Sequence, residues 1–159
     1  MIRIGHGYDV HAVVAGHGVR LGGVDIECDL ALQAHSDGDV VLHALCDALL
    51  GAAAKGDIGR HFPDDDPAWL DADSRDLLAQ VMTWLVAEGW RVVNCDITLV
   101  AEQPRLGPHV GAMAAVLAEC MDLPREAVNI KATTHEGIGA IGRGEGIAAH
   151  AVCLLEGGR

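Results

Sequence analysis

Aromatic side chains are scarce in this chain: phenylalanine, tryptophan and tyrosine together make up 3% of its 159 residues. Half of the residues are nevertheless hydrophobic, so the core must be assembled mainly from alanine, valine, leucine and isoleucine. A chain of this length suits one domain of ordinary size with enough apolar surface to bury. We therefore expect a single domain over residues 1–159, in which small core side chains allow helices and sheet to approach closely.

Positive charge is also scarce. The chain has 11 lysine and arginine residues against 23 aspartate and glutamate residues, which gives a formal net charge of −12. A net charge of this sign disfavours nucleic acids and anionic membranes as the main partners. It does not exclude a small phosphorylated ligand, provided that local cations, metal ions or helix N-termini offset the phosphate charge.

Two further absences concern the cellular compartment. The five cysteines occur without a Cys-x-x-Cys pair, which is typical of reduced thiols in a cytosolic protein rather than of a disulfide framework. The first residues lack the apolar run of a signal peptide, and no stretch is long and apolar enough to span a bilayer. The sequence therefore predicts a cytoplasmic protein without a membrane partner.

Strand-like and helix-like segments alternate along the chain. Hydrophobic periodicity and turn residues predict strands at 2–11, 19–21, 24–26, 92–100, 128–134 and 147–155, and helices at 40–54, 73–88 and 108–121. A glycine pair at 22–23 indicates a tight hairpin, and loops are expected at 56–67 and 137–146. In the 92–100 strand, alternation predicts a shared buried face for Val93, Cys95, Ile97 and Leu99. The fold class indicated is α+β with an α/β-like order of elements: a mixed sheet that carries its helices on one face.

Three residues with metal-binding side chains stand out. Asp9 and His11 are two apart in the first predicted strand, so their side chains point to the same face. His43 lies in the first predicted helix. One carboxylate and two imidazoles match the ligands of a catalytic zinc site, with a fourth position open for substrate. Because this spacing also occurs in proteins without a metal, the prediction depends on the neighbouring motifs.

Four other segments carry groups that suit phosphate or nucleotide binding. Residues 35–37 precede the first helix, whose N-terminal N–H groups attract anions, although they could also be simple helix caps. The hydroxyl groups and carboxylate of 133–136 follow a strand and could hold phosphate oxygens and a hard cation, or the threonines could be plain β-formers. Arg143 lies in a glycine-rich loop and can bind phosphate bidentately. The 101–107 segment joins a strand to a helix, where α/β folds tend to bind ligands.

Six short strings occur along the chain in a fixed order. They are Gly-His-Gly-Tyr-Asp-Val-His at 5–11, Ala-His-Ser-Asp-Gly-Asp-Val at 34–40, Gly-Asp-Ile-Gly at 56–59, Phe-Pro-Asp at 62–64, Lys-Ala-Thr-Thr at 131–134 and Gly-Arg-Gly-Glu-Gly at 142–146. In combination, over nearly the whole chain, they resemble the 2-C-methyl-D-erythritol 2,4-cyclodiphosphate synthase family of the non-mevalonate isoprenoid pathway.

The resemblance implies a metal-dependent lyase. Members of this family convert 4-diphosphocytidyl-2-C-methyl-D-erythritol 2-phosphate into the cyclic diphosphate and release CMP. The implied metal ligands are Asp9, His11 and His43 for zinc, and Glu136 for magnesium or manganese. His35 and Thr134 would stabilise the transition state. The family also implies a homotrimer whose active sites lie between adjacent subunits.

The same resemblance implies which residues contact the cytidyl substrate. Around the metals and phosphates these are Asp9, Val10, His11, His35 and Ser36, together with Thr133, Thr134, His135 and Glu136 of the neighbouring subunit. The ribose and methylerythritol contacts are Asp57, Ile58, Gly59, Phe62, Pro63, Asp64, Asp65 and Asp66. The cytosine contacts are Ala101, Glu102, Gln103, Pro104, Arg105, Leu106 and Gly107, with Arg105 near the phosphates. Ala140 and Arg143 complete the implied set.

Two positions depart from the residues that the family usually carries. Ala140 stands where an aromatic side chain is common, and His150 stands where an acidic one is common. In the family these positions and Arg143 line a cavity on the trimer axis that can hold an isoprenoid diphosphate. The smaller Ala140 and the titratable His150 weaken the expectation of that second ligand and leave the zinc chemistry unaffected.

Two other functions fit the residues taken by themselves. A zinc-dependent phosphohydrolase would use the same three ligands to activate water, and it needs a carboxylate base, for which Asp37, Asp39 and Asp47 are candidates. A non-catalytic trimer would bind a nucleotide or an isoprenoid without turnover.

Overall fold

A computed structural model describes residues 1–63 and 65–157. The strands are β1 (Ile2–Ala15), β2 (Val19–Leu21), β3 (Val24–Ile26), β4 (Leu30–Leu32), β5 (Trp90–Val100), β6 (Val128–Thr133) and β7 (Gly146–Gly157). The helices are α1 (Val40–Ala52), α2 (Ile58–His61), α3 (Ser74–Ala87), α4 (Val110–Cys120) and α5 (Gly139–Gly142). Single turns of 3-10 helix lie at Pro67–Trp69, Gly107–His109 and Arg125–Ala127. The expected substrate contact of Asp64 lies outside the described residues.

Five strands form one mixed sheet in the order β4-β1-β7-β5-β6. β5 and β6 run parallel, whereas the other neighbouring strands run antiparallel. β2 and β3 form the predicted separate hairpin, and both turn residues, Gly22 and Gly23, have left-handed backbone angles that glycine adopts without strain. This mixed sheet with packed helices confirms the predicted α+β class.

The helices pack on one face of the sheet, and glycines in β1 let α1 approach closely. A Cβ atom at Gly7 would lie 1.9 Å from the carbonyl oxygen of Ala44, and one at Gly5 would lie 1.8 Å from that of Ala48. Alanine at either glycine position would therefore push α1 off the sheet. The close approach also brings His43, which precedes Ala44 in α1, against the strand that carries the other two predicted metal ligands.

The structure differs from the sequence prediction at β1, β4 and β5. β1 continues past residue 11 to Ala15 because its end pairs with β4, a three-residue strand that the sequence pattern did not indicate. In β5, a bulge between Val92 and Asn94 shifts the alternation by one residue. Val92 is therefore buried and Val93 is only partly so, and the prediction that Val93 shares the buried face is wrong.

The opposite face of the sheet is exposed in the described chain and carries apolar side chains. Ile2 and Ile4 of β1 are 71% and 73% exposed, and Tyr8 and Val152 are also exposed, to a lesser degree. An exposed sheet face with several apolar side chains indicates an interaction surface. Within residues 1–63 and 65–157, no helix has both the length and the apolar character needed to cross a bilayer.

Candidate metal and substrate site

Asp9, His11 and His43 meet where β1 packs against α1. Strand alternation points Asp9 and His11 to the helix-covered face, and α1 presents His43 to them. Nε2 of His11 and Nδ1 of His43 each lie 3.0 Å from Oδ2 of Asp9, and these two nitrogens are 3.3 Å apart. The three side chains that the sequence singled out therefore form one compact group.

The three donor atoms fit a single small metal ion. Ligands about 2.0–2.1 Å from a tetrahedral metal are roughly 3.3 Å from one another, which agrees with the separations of 3.0–3.3 Å in this group. Two imidazoles and one carboxylate are ligands that zinc accepts, and three protein ligands leave one coordination position for a substrate. The group could therefore hold a catalytic metal.

Asp9 supplies the negative charge of this group. Burial opposes its ionisation, but hydrogen bonds to His11 and His43 outweigh that effect and lower the pKa of the Asp9 carboxyl well below its ordinary value. The carboxyl is therefore ionised at physiological pH. An anionic oxygen between two imidazoles is an arrangement that favours a divalent cation.

The N-terminus of α1 is held by the buried carboxylate of Asp39. This N-cap accepts four backbone N–H groups, from Gly22, Gly23, Val41 and Leu42, at 2.7–3.1 Å. Burial raises the pKa of Asp39 to about 6, and the N–H groups of Gly23 and Gly22 act in the opposite direction. Asp39 thus joins the β2–β3 hairpin to the helix that carries the third metal ligand.

A cavity of about 420 Å³ adjoins the metal group and is within the range of small-ligand sites. Its lining is formed by Asp9, His11, Gln33, Ala34, His35, Ser36, His43, Ile58, Gly59, Phe62, Pro63, Trp69 and Leu77. Trp69 was missed by the sequence reasoning, although tryptophan is rare in this chain. Its ring packs edge-on against Phe62 at a centroid distance of 4.8 Å. Phe62 is therefore a buried anchor for the loop as well as part of the lining.

We call this cavity beside the metal group the metal cleft. The predicted loop at 56–67 lies beside it and is more ordered than the sequence indicated, because it contains α2. Asp57 caps this helix by accepting the N–H of Arg60. Asp47 of α1 accepts the N–H of Ile58 at 2.7 Å, and burial raises the pKa of the Asp47 carboxyl. These bonds hold the start of α2 at the cleft. Of the expected loop residues further along, Asp65 and Asp66 are exposed and lie outside the lining.

A second cleft lies beyond the ends of β5 and β6. Its lining is formed by Ala101, Glu102, Pro104, Arg105, Leu106, Gly107, Pro108, Val110, Ala132, Thr133 and Thr134. Glu102 joins the two segments, since its Oε1 accepts the N–H of His135 at 2.8 Å. The hydroxyl of Thr134 accepts the N–H of Glu136 at 3.1 Å. The residues implied for cytosine and for the second metal are thus neighbours.

The second cleft, which we call the nucleotide cleft after its expected ligand, is separated from the metal cleft by the width of the sheet. In strand register, one row of residues runs through Asp9, Ala149, Leu99 and Ala132. Three strand spacings therefore separate β1 from β6, or roughly 14 Å. Among the described residues, none lines both clefts. A single chain does not bring Thr134 and Glu136 to the metal group.

Several expected contacts lie away from both clefts. The side chain of Val10 projects to the open face of the sheet and is 43% exposed. Arg143 pairs with Glu145 at 2.6 Å and borders a separate surface cavity together with Gln103. Ala140 is exposed in α5. In one chain, these residues do not contribute side chains to either cleft.

His150 also lies on the open face, where it joins a small ring cluster. Its Nδ1 is 3.3 Å from Nε2 of His6. Its ring centroid is 4.8 Å from that of Tyr8. The residue that departs from the usual acidic side chain is therefore in contact with β1, on the side of the sheet opposite the metal group.

The chain is similar to known proteins along nearly its whole length. The model of the YgbB family matches residues 2–156. A curated relative from Thioalkalivibrio sulfidiphilus, named 2-C-methyl-D-erythritol 2,4-cyclodiphosphate synthase, is 61% identical over 155 residues, which cover 98% of this chain and 97% of the relative. The similarity therefore includes both clefts.

Two solved structures extend the agreement to the fold. The bifunctional IspDF from Campylobacter jejuni matches with a TM-score of 0.94 and 40% identity, and the match covers 100% of this chain and 43% of that longer chain. IspF of Plasmodium falciparum in complex with CDP matches with a TM-score of 0.87 and 28% identity, over 99% of this chain and 97% of the other.

Proposed function

Since the chain belongs to the YgbB family, we propose that it cyclises 4-diphosphocytidyl-2-C-methyl-D-erythritol 2-phosphate to 2-C-methyl-D-erythritol 2,4-cyclodiphosphate and releases CMP. This is a phosphorus–oxygen lyase reaction of isoprenoid biosynthesis by the non-mevalonate pathway. The observation that carries the proposal is the group of Asp9, His11 and His43 beside a cleft that also presents His35 and Ser36. Curated relatives that align with 97–98% of the chain bear the name of this synthase.

We propose zinc as the metal at Asp9, His11 and His43, and magnesium or manganese at Glu136. The donor atoms of the first group support zinc by their type and separation. Glu136 offers an exposed carboxylate, which is the ligand type that hard cations prefer. Both metals would act, when bound, as Lewis acids that polarise phosphate oxygens.

The attacking group belongs to the substrate. An oxygen of the 2-phosphate, which is ionised at neutral pH, attacks the β-phosphorus. The bond between that phosphorus and the oxygen bridging it to the α-phosphorus breaks, and CMP leaves with that oxygen. Because no proton has to be removed from the nucleophile, the main task of the protein is to hold the substrate in a ring-closing pose. Positioning of this kind can supply about 7–11 kcal/mol of the barrier reduction.

His35 and Thr134 are the proposed donors to phosphate oxygens as negative charge develops. His35 lines the metal cleft, and its carbonyl oxygen accepts the N–H of Asp71 at 3.1 Å, which holds the loop in place. The hydroxyl of Thr134 accepts the N–H of Glu136, so the hydroxyl proton remains available for a phosphate. The backbone of His35 is thus held in place, and Thr134 has a hydroxyl proton available to donate.

The 101–107 segment is the proposed cytosine site. Ala101 and Leu106 are buried, so their backbone is held by packing and can present fixed N–H and C=O groups to a base. Arg105 is exposed at the rim, where it can pair with phosphates. The related Plasmodium falciparum protein was solved with CDP, which supports a cytidine nucleotide as the ligand of this cleft.

We further propose a homotrimer in which each active site combines the metal cleft of one subunit with the nucleotide cleft of the next. Support comes from the separation of the two clefts within one chain and from the apolar face of the sheet that the single chain leaves exposed. A ring of three identical chains would use both clefts of every subunit. It would also cover the exposed strands.

A hydrolase that uses the same metal ligands has less support. The three carboxylates considered as its base already accept hydrogen bonds within the protein: Asp37 from Ser74, Asp39 from backbone N–H groups and Asp47 from Ile58. A free carboxylate beside the metal would be expected for water activation.

As the working compartment we propose the cytoplasm, supported by five cysteines that are all free thiols.

Metal removal tests the proposal. Treatment with a chelator is expected to lower the rate of CMP release at least about 10³-fold, since Lewis-acid stabilisation is worth several kcal/mol. Adding zinc together with magnesium should restore the rate, whereas calcium in place of zinc should not. CMP release can be followed by anion-exchange chromatography. Full activity in protein shown by elemental analysis to be free of zinc would contradict the assignment.

A further inference from the structure

The second ring nitrogen of His43 contacts two serine hydroxyls. Nδ1 of His43 faces Asp9 and His11, while Nε2 lies 2.9 Å from Oγ of Ser74 and 3.2 Å from Oγ of Ser36. Ser74 is fully buried at the start of α3. Packing therefore holds its hydroxyl against the ring. Neither composition nor motif assigned a role to this serine.

The hydroxyl of Ser74 has a defined direction because its Oγ lies 2.5 Å from Oδ1 of Asp37. A carboxylate can only accept, so Ser74 donates its proton to Asp37. The remaining lone pairs on the serine oxygen face Nε2 of His43, which must then carry the ring hydrogen. A neutral imidazole has only one N–H, so Nδ1 is left with the lone pair that binds a metal.

Asp37 is itself held by several donors. Its Oδ2 accepts the backbone N–H of Ser74 at 2.9 Å, and its Oδ1 accepts that of Asp39 at 3.2 Å. Nη1 of Arg20 lies 3.9 Å from Oδ2, and the N–H of Asp37 donates to the carbonyl of Ala72 at 3.3 Å. These contacts orient the carboxylate before any ligand binds. They also connect the N-termini of α1 and α3 at the metal group.

We propose that Ser74 and Asp37 are positioning residues, which act in series to set the tautomer and the ring orientation of His43. They act through His43 and are not themselves metal ligands. The proposal rests on the proposed function in one respect, because it assumes that Asp9, His11 and His43 bind zinc. Outer groups that hydrogen-bond a metal-ligating histidine typically change metal affinity by about 10–100-fold.

Zinc affinity in the absence of substrate is the test. Ser74→Ala and Asp37→Asn, made in the full chain, are each expected to raise the zinc dissociation constant about 10–100-fold, measured by competition with a chromophoric chelator. Because the two residues act in series, the double variant should lose little more zinc affinity than the single variant that binds zinc more weakly. Cobalt bound in place of zinc should show altered visible absorption bands in each variant, since the orientation of one ligand ring changes.

The matched control is Thr83→Ala, which removes an exposed hydroxyl from the same helix and should leave zinc affinity unchanged. The free energy of unfolding of each metal-free variant, from urea titration, separates a loss of metal affinity from a loss of fold. Unchanged zinc affinity in Ser74→Ala or Asp37→Asn would overturn the proposal, and so would fully additive losses in the double variant. Failure of the proposed function would appear differently, as wild-type protein that binds zinc but releases no CMP.

Discussion

Replacing His43 with alanine is expected to reduce the rate of CMP release by at least about 10³-fold, because the loss of metal stabilisation is worth several kcal/mol and each 1.36 kcal/mol is a factor of ten. The substitution removes one of three ligands that lie 3.0–3.3 Å apart. The two remaining ligands hold a metal weakly. The rate is measured by chromatography at saturating substrate, and zinc content is measured by elemental analysis.

His17→Ala is the matched control for this substitution. It makes the same chemical change at an exposed loop position, away from the metal group, and is expected to keep the wild-type rate and zinc content. A His43→Ala protein that cyclised the substrate at the normal rate would show that the zinc assignment is wrong. If it kept CDP binding and the wild-type protein also failed to turn over substrate, the non-catalytic binding trimer would be favoured.

Mixing two inactive variants is expected to restore activity. His43→Ala disables the metal cleft and Thr134→Ala the nucleotide cleft, and these clefts lie on different parts of one chain. In trimers assembled at random from equal amounts, about a quarter of the intersubunit sites would combine an intact metal cleft with an intact nucleotide cleft. The expected rate is therefore about a quarter of the wild-type rate. Co-expression with two different affinity tags yields the mixed assembly for the assay.

Two controls calibrate this complementation. Each variant alone should stay inactive after the same treatment, and a mixture of His43→Ala with wild type should retain about half of the activity. Mixed assemblies without any recovered activity would place both clefts of a site in the same chain. A chain that remains monomeric in sedimentation at assay concentration while fully active would also contradict the proposed trimer.

Local periodicity assigned the three candidate metal ligands to a strand and a helix, but their prediction as a metal site depended on the neighbouring motifs. Asp9 and His11 share a strand face through simple alternation, and His43 lies on the first predicted helix, whose N-cap in the structure is Asp39. The actual meeting of the three depends on the glycines of β1, which allow α1 to approach closely. Sequence spacing alone could not predict that approach, because it arises from packing between separate elements.

The features that the sequence did not reveal depend on long-range pairing. β4 is three residues long and exists because it pairs with the end of β1. The bulge at Val93 follows from the register of β5 against β7. Ser74 appears in the sequence as an ordinary polar residue in the first turn of α3, and only the fold brings it to His43. The separation of the two clefts likewise follows from the strand order, which local patterns do not determine.

Phosphorus NMR of the reaction tests the central claim most directly, because it identifies the product. Wild-type protein with the cytidyl substrate, zinc and magnesium should yield two mutually coupled diphosphate signals, with CMP as the only remaining phosphate monoester. The same sample with a chelator should show unchanged substrate over the same period. Inorganic phosphate and a linear product would instead indicate a hydrolase, and would contradict cyclisation by this protein.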